Sequence, residues 1–281
     1  MRKKVIGLMM CMVGILTMVS GGISQKSHPG KEETKIHVFI ATSLGGPMEE
    51  IKKEYQKNHP EVNITYNADS SGTLLTQIQE GHECDIFFCA ATKQMDVLER
   101  EGYVTKGTRK DLLKNQLVLI TAKDSGTKVT AFSNLNRAKS MALAGGSVPA
   151  GKYTRTILVK LGLLPHVEDP SVYTSEEISQ ILHGVEINEC SNVSKVTEAV
   201  KEGANEIGTV YYSDAYLVKD QVSIIDSADA SLTGEILYPV AQLENKEADE
   251  SQRKEVTDFL SYLLSEDAKT IFEQYMFHYV G

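Results

Sequence analysis

The sequence predicts an α/β fold in which largely parallel strands are covered by helices. Two observations carry this expectation. Short β-branched and apolar runs alternate with longer segments whose apolar residues recur at helical spacing, the pattern that βαβ units produce. Several of those runs also end in small polar or glycine-rich turns that open directly into a helical segment. The 281 residues suffice for one large domain or two ordinary lobes, and 41% hydrophobic content without low-complexity tracts marks a folded chain.

Taken in order, IHVFIA (36–41) precedes a helix over 47–58, VNITYN (62–67) a helix over 73–80, and DIFFCA (85–90) a helix over 93–101. QLVLITA (116–122) and SMALAGG (140–146) follow as strands, then a helix over 151–161, and the pattern continues through IGTVYY (207–212). From Gln252 to Tyr275, Val256, Phe259, Leu260, Leu263, Leu264, Ala268, Ile271 and Phe272 fall at three- and four-residue steps. That is an amphipathic helix or helix pair packed on the body.

The N-terminus reads differently. Arg2, Lys3 and Lys4 are followed by an apolar run from Val5 to about Val19 and then by Ser20, Gly21 and Gly22, the order of a secretory signal. The run is shorter than the roughly 20 residues a membrane helix needs, so residues 1–21 are expected to be a cleaved signal peptide. Cys11 follows Met10 inside the apolar run, where a small residue would precede a lipidated cysteine, which argues against an anchor there. Residues 22–34 read as a flexible tether, with the body starting at Lys35. The formal charge of −9 becomes more negative still once the three basic residues leave, so neither nucleic acid nor an anionic membrane surface is an expected partner. Beyond the signal, Cys84, Cys89 and Cys190 show neither metal-type spacing nor a disulfide framework and read as buried thiols.

Four strand-to-helix turns are candidates for chemistry. A helix N-terminus offers unpaired N–H groups and a partial positive charge, so it holds anions without a cationic side chain. The turns are Ala41–Pro47 with Ser43, Asp69-Ser70-Ser71-Gly72-Thr73, Gly145–Gly151 with Ala150, and Ser191–Ser194, where Asn192 caps and Val193 offers its N–H. Each alone is ordinarily just a capped helix. The third nearly spells a nucleotide P-loop, since Gly146 to Lys152 satisfies G-x4-G-K. Tyr153 stands where Ser or Thr must hold Mg2+, however, and Pro149 removes one N–H. A fifth segment, IGTVYYSDA (207–215), runs as a strand into a turn that carries Tyr211.

Together and in this order, these segments resemble the periplasmic molybdate-binding proteins of ABC-type molybdate importers. The resemblance rests on VFIATSL (38–44), ADSSGTL (68–74), DIFFCAA (85–91), QLVLITA (116–122), SVPAGKY (147–153), IGTVYYSDA (207–215) and YPVA (238–241), and covers roughly residues 35–281. It implies a two-lobed periplasmic-binding-protein fold of type II, each lobe a mixed, mostly parallel sheet flanked by helices, with the ligand in the cleft between them. Lobe 1 would comprise 35–117 and 238–281, lobe 2 would comprise 118–237, and hinges would lie near Leu117 and Tyr238. It further implies a tetrahedral oxyanion, molybdate or tungstate, held by neutral donors: the hydroxyls of Ser43, Ser71 and Tyr211 and the backbone N–H groups of Ala150 and Val193. Any metal would thus be bound as its oxyanion, with no resident cofactor. The segment before Val193 carries an apparent short insertion around Glu186 to Cys190, and Gly72 replaces a serine of the family pattern.

The resemblance also implies an exported monomer, in the periplasm or on the outer face of the cytoplasmic membrane, that docks on a membrane permease. Within the binding class, a sulfate or phosphate carrier on the same fold is the alternative, with Asp69 or Asp214 as the acceptor a protonated anion requires. A secreted hydrolase using Ser43 or Ser71 lacks a G-x-S-x-G elbow and a histidine in a catalytic setting. A bare-cation carrier would need clustered His, Asp or Glu in the cleft.

Overall fold

The computed structural model describes residues 33–281; the expected signal peptide and nearly all of the expected tether fall outside them. Strands β1 (Thr34–Ala41), β2 (Val62–Asp69), β3 (Ile86–Phe88) and β4 (Lys110–Asn115) belong to a first sheet, interleaved with α1 (Gly45–Gln56), α2 (Ser71–Gln79) and α3 (Thr92–Arg100). One residue after β4 the chain enters a second sheet made of β5 (Leu117–Ala122), β6 (Ser140–Ala144), β7 (Glu186–Cys190), β8 (Ile207–Tyr211) and β9 (Val222–Ser227). Its helices are α4 (Pro149–Lys160), α5 (Ser175–Ile181), α6 (Val193–Lys201) and α7 (Tyr212–Leu217). After the short α8 (Ala230–Thr233), β10 (Ile236–Gln242) returns to the first sheet, and α9 (Glu250–Leu263), α10 (Glu266–Gln274) and β11 (His278–Tyr279) complete it.

The first sheet runs β11-β4-β10-β3-β1-β2 and the second β7-β6-β8-β5-β9. Parallel pairing joins β1 to β2 and β3, and β6 to β7 and β8. The antiparallel pairs all involve β5 or β10, the strands that arrive from the other sheet, or the terminal β11. Each lobe is therefore a mixed sheet flanked by helices, with its parallel strands feeding the helices that matter below. The first crossing lies at Gln116, next to Leu117. The second runs through residues 228–235, so Tyr238 sits inside β10 rather than at a connection.

Strand interiors follow from composition. Ile36, Val38, Ile40, Ile86 and Phe88 are buried on one face of the sheet and Phe39 and Phe87 on the other, as central parallel strands require. The C-terminal amphipathic segment resolves into two helices because Ser265 caps a second start, its Oγ accepting from the amide of Ala268 at 3.3 Å. The apparent insertion at Glu186–Cys190 is strand β7, paired in parallel with β6; its polar sequence suits the edge of a sheet. Cys84, Cys89 and Cys190 are buried and unpaired.

Candidate functional site

The parallel strands β1, β2, β6 and β7 each lead into a turn whose following helix points its N-terminus at the gap between the sheets. At the short 3-10 turn Thr42–Leu44 that leads into α1, and at α4, the capping positions, Ala41 and Val148, supply no side-chain acceptor. At α2 and α6 a cap exists but satisfies only the third amide. Ser70 Oγ accepts from Thr73 N at 3.1 Å, and Asn192 Oδ1 accepts from Lys195 N at 3.1 Å. The first-turn amides of Thr42, Ser43, Ser71, Gly72, Ala150, Gly151, Val193 and Ser194 consequently find no acceptor within their own helices. Two helices come from each lobe, so positive dipole ends converge from both sides.

A single small pocket is lined by Ala41, Thr42, Ser43, Asp69, Ser70, Ser71, Ala90, Val148, Pro149, Val193 and Tyr211. Four of the five residues expected from the sequence thus meet in one place. Ala150 is buried immediately behind Pro149 and does not line the pocket; its N–H is that of the second helical position of α4. Sequence reasoning missed Thr42, Ser70 and Ala90 as lining residues and named Asp69 only as the acceptor a protonated anion would need. Ser70 had a legible signal, an S-x-x-T step before an apolar helical run, which marks it as the cap and frees Ser71 for the pocket.

The hydroxyls are arranged with some exactness of role. Ser71 Oγ accepts from the amide of Ala90 at 3.0 Å, which occupies a lone pair and leaves its proton to be given elsewhere. Ser43 Oγ lies 3.1 Å from the hydroxyl of Tyr238. Tyr211, 1% exposed, has a buried hydroxyl with no protein partner. Burial, reinforced by the neighbouring Tyr238, pushes its pKa well above the ordinary tyrosine range, so it remains a donor at any physiological pH. An orphaned buried hydroxyl costs stability unless something else in the site accepts from it.

The lobes touch across this pocket. Asn192 Nδ2 donates to Asp69 Oδ1 at 3.4 Å, and Lys93 Nζ reaches the Asp169 carboxylate at 3.5 Å. Hydrogen bonds from the hydroxyl and amide of Ser171, aided by Lys152 and Lys93, hold Asp169 down at about 2. Among the described residues no group of three or more His, Cys, Asp or Glu gathers as cation ligands, and no helix is long and apolar enough to cross a membrane.

Asp214 stands just behind Tyr211 and accepts from its amide at 3.3 Å. Burial pushes its carboxyl up to about 7, against about 3.9 in an unfolded chain. The folded state therefore holds a proton that the unfolded state has lost between these values, and stability falls as pH rises from about 4 through 7. Asp214→Asn keeps an acceptor for the Tyr211 amide and removes the buried charge. It is expected to raise the melting temperature by several degrees at pH 8 and to leave it nearly unchanged at pH 4. Melting curves at both pH values check this, and equal shifts at the two would contradict it.

The family model for bacterial extracellular solute-binding proteins matches residues 36–278. The putative ABC transporter substrate-binding lipoprotein YvgL of Bacillus subtilis is 33% identical over 99% of this chain and 99% of its own length. The molybdate-binding protein ModA of Haemophilus influenzae is 30% identical, covering 86% of this chain and 89% of its own. Among solved structures, the substrate-binding domain of a putative molybdenum ABC transporter from Clostridium difficile superposes with a TM-score of 0.61 at 30% identity, covering 88% of this chain and 99% of that one. With parallel strands feeding helix N-termini from two lobes into one pocket, the chain belongs to the bacterial extracellular solute-binding protein family, as a ModA-like substrate-binding protein of an ABC transporter.

Proposed function

We propose that this protein captures molybdate, with tungstate as its near equivalent, and hands it to the membrane permease of an ABC importer. The observation that carries the reading is the buried Tyr211 hydroxyl, which has no protein acceptor and lies in a pocket ringed by helix N-termini. Such a pocket offers protons and lacks cations, so it suits a fully deprotonated, doubly charged oxyanion. Charge-assisted hydrogen bonds contribute about 1.5 to 3 kcal/mol each and add across the ring of donors. Ser43, Ser71 and Tyr211 supply hydroxyls, and Ala150 and Val193 supply amides. Relatives named for molybdate align over most of the chain and support the same ligand. The reading is one of capture without turnover, by a monomer outside the cytoplasmic membrane. The end-to-end relative named as a substrate-binding lipoprotein supports that location.

Asp69 favours a second reading, because it lines the same pocket and a carboxylate is the acceptor a protonated oxyanion such as hydrogen phosphate needs. A thermal-shift titration with molybdate, tungstate, sulfate and phosphate separates the two. At about 1,000 times the dissociation constant the ligand should stabilise the fold by about 4 kcal/mol, a rise of several degrees or more. Molybdate and tungstate should produce it, and Ser71→Ala should weaken their binding roughly 10- to 100-fold, as loss of one charge-assisted bond implies. A shift with phosphate alone transfers the function to the second reading. No shift with any oxyanion overturns both.

A further inference from the structure

The pocket hydroxyl of Ser43 is not free to point where it pleases, and the reason lies in β10. Asn115, the last residue of β4, accepts from the amide of Gln116 through Oδ1 at 2.9 Å. That bond fixes which end of the Asn115 amide faces which neighbour, since an N–H requires the oxygen. Nδ2 is then turned toward two hydroxyls, Ser213 Oγ at 2.8 Å and Tyr238 OH at 3.4 Å. An amide nitrogen can only donate, so the Tyr238 oxygen accepts, and the single Tyr238 proton must go elsewhere. Tyr238 is completely buried; the Tyr211 hydroxyl lies close by but makes no hydrogen bond of acceptable geometry, whereas Ser43 Oγ stands at 3.1 Å. Ser43 therefore accepts from Tyr238, and its own proton is left to face the pocket.

We propose that Tyr238 is a positioning residue for the anion. Through the chain Asn115 to Tyr238 to Ser43 it sets the Ser43 hydroxyl as a donor aimed at the ligand, and it strengthens that donor by polarising it. This inference rests on the oxyanion reading of the pocket and deepens it. Nothing in the sequence points to it: YPVA at 238–241 reads as a buried strand, and the three residues are separated by 72 and 123 positions or more. The same chain touches Ser213 at the start of α7 in the second lobe. The orientation of Ser43 is thus tied to the point where the two lobes join at Gln116.

Tyr238→Phe removes the hydroxyl and keeps the ring, which packs edge-on against Tyr211 at 5.6 Å and Phe277 at 5.3 Å between centroids. Asn115 retains Ser213 as a partner, so the variant should fold, with the anion-free melting temperature as the control. Calorimetric titration of molybdate into Tyr238→Phe should show binding weakened roughly ten-fold, the loss of one hydrogen bond to a charged group. The decisive measurement is a double-mutant cycle. In a Ser43→Ala background, Tyr238→Phe should cause less than about a two-fold further loss, because the hydroxyl it positions is gone. In a Ser71→Ala background it should cause the full roughly ten-fold loss again. The same further loss in both backgrounds would reduce Tyr238 to a packing residue and overturn the inference, as would unchanged affinity in the single variant. If the unaltered protein binds no oxyanion at all, the proposed function fails first and takes this inference with it.

Discussion

Gly72→Val is expected to fold normally and to bind molybdate at least 1,000-fold more weakly, because it wedges the lobes apart. Gly72 is the second residue of α2, on the first lobe, and a Cβ built there would lie 2.6 Å from the carbonyl oxygen of Ser147, on the second. The obstacle is backbone in the turn that leads into α4, so no side-chain rotation relieves it. Valine in a first helical turn costs little locally, and relief of the clash requires only that the lobes stand further apart. The anion-free melting temperature should therefore change by no more than a degree or two. Ligand capture requires amides from both lobes to reach one anion, and it is this closure that the valine obstructs. The lobe-spanning contacts, Asn192 to Asp69 and Lys93 to Asp169, should be lost with it. Two measurements check the expectation: calorimetric affinity, and small-angle scattering for the contraction on adding molybdate, which the variant should not show. Wild-type affinity in Gly72→Val would mean that the lobes bind the anion without closing as drawn here.

That glycine also shows where reading the sequence stops. In sequence, Gly72 registers as the loss of one hydroxyl from a serine-rich turn; its contact with Ser147 comes from a residue 75 positions away and from another sheet. What is legible is local. The turns that hold Ser43, Ser71 and Val193 were found because a strand ending in small polar residues and opening into a helix is a pattern of neighbours in sequence, and the choice of Ser71 and Tyr211 as ligand residues came from the family resemblance. The pocket then gathers all four, since parallel strands of a lobe end on the same side. The helix starts fell within about two residues of expectation for the same reason. Thr42 and Asp69 line the pocket from within turns already singled out, whereas Ala90 joins them only because β3 pairs in parallel beside β1, which no spacing encodes. The polar run Glu186–Cys190 became an edge strand only because β6 lay open to receive it. The helix α5 had an overlooked local sign, the Thr174–Glu177 capping box, in which Glu177 Oε2 accepts from Thr174 N at 2.8 Å and Thr174 Oγ1 from Glu177 N at 3.2 Å.

Arg155→Met should destabilise the protein by roughly 3 to 5 kcal/mol and lower its melting temperature by about 10 °C, the largest stability loss expected of any residue near the site. Arg155 is completely buried in α4. Its Nη1 donates to the carbonyls of Ala144 at 2.7 Å and Gly151 at 3.1 Å, and its Nε to the carbonyl of Tyr173 at 2.9 Å. Burial lowers its pKa and Glu189, 3.6 Å from Nη2, opposes the shift, so the guanidinium stays charged. Replacing a buried ion pair by apolar residues is often harmless, because both charges leave together. Here the principal partners are backbone carbonyls, which stay behind in the core and lose their donor. Arg155→Lys offers a point charge in place of a planar fork and cannot serve three carbonyls in these directions, so it should recover only part of the loss. Glu189 is half exposed, and Glu189→Gln should move the melting temperature by a degree or two at most. Thermal melts of the three variants test the order, and Arg155→Met as stable as the parent would refute it. The consequence for capture follows from which carbonyls are held. Ala144 ends β6 and Gly151 lies in the first turn of α4, so the guanidinium clamps both ends of the turn that presents the Ala150 amide. A Cβ at Gly151 would sit 2.2 Å from the carbonyls of Ala144 and Gly145, which shows how little slack that turn has. Molybdate affinity in Arg155→Met should therefore fall even below the melting transition, since an amide misplaced by a fraction of an ångström forfeits much of a directional bond to the anion.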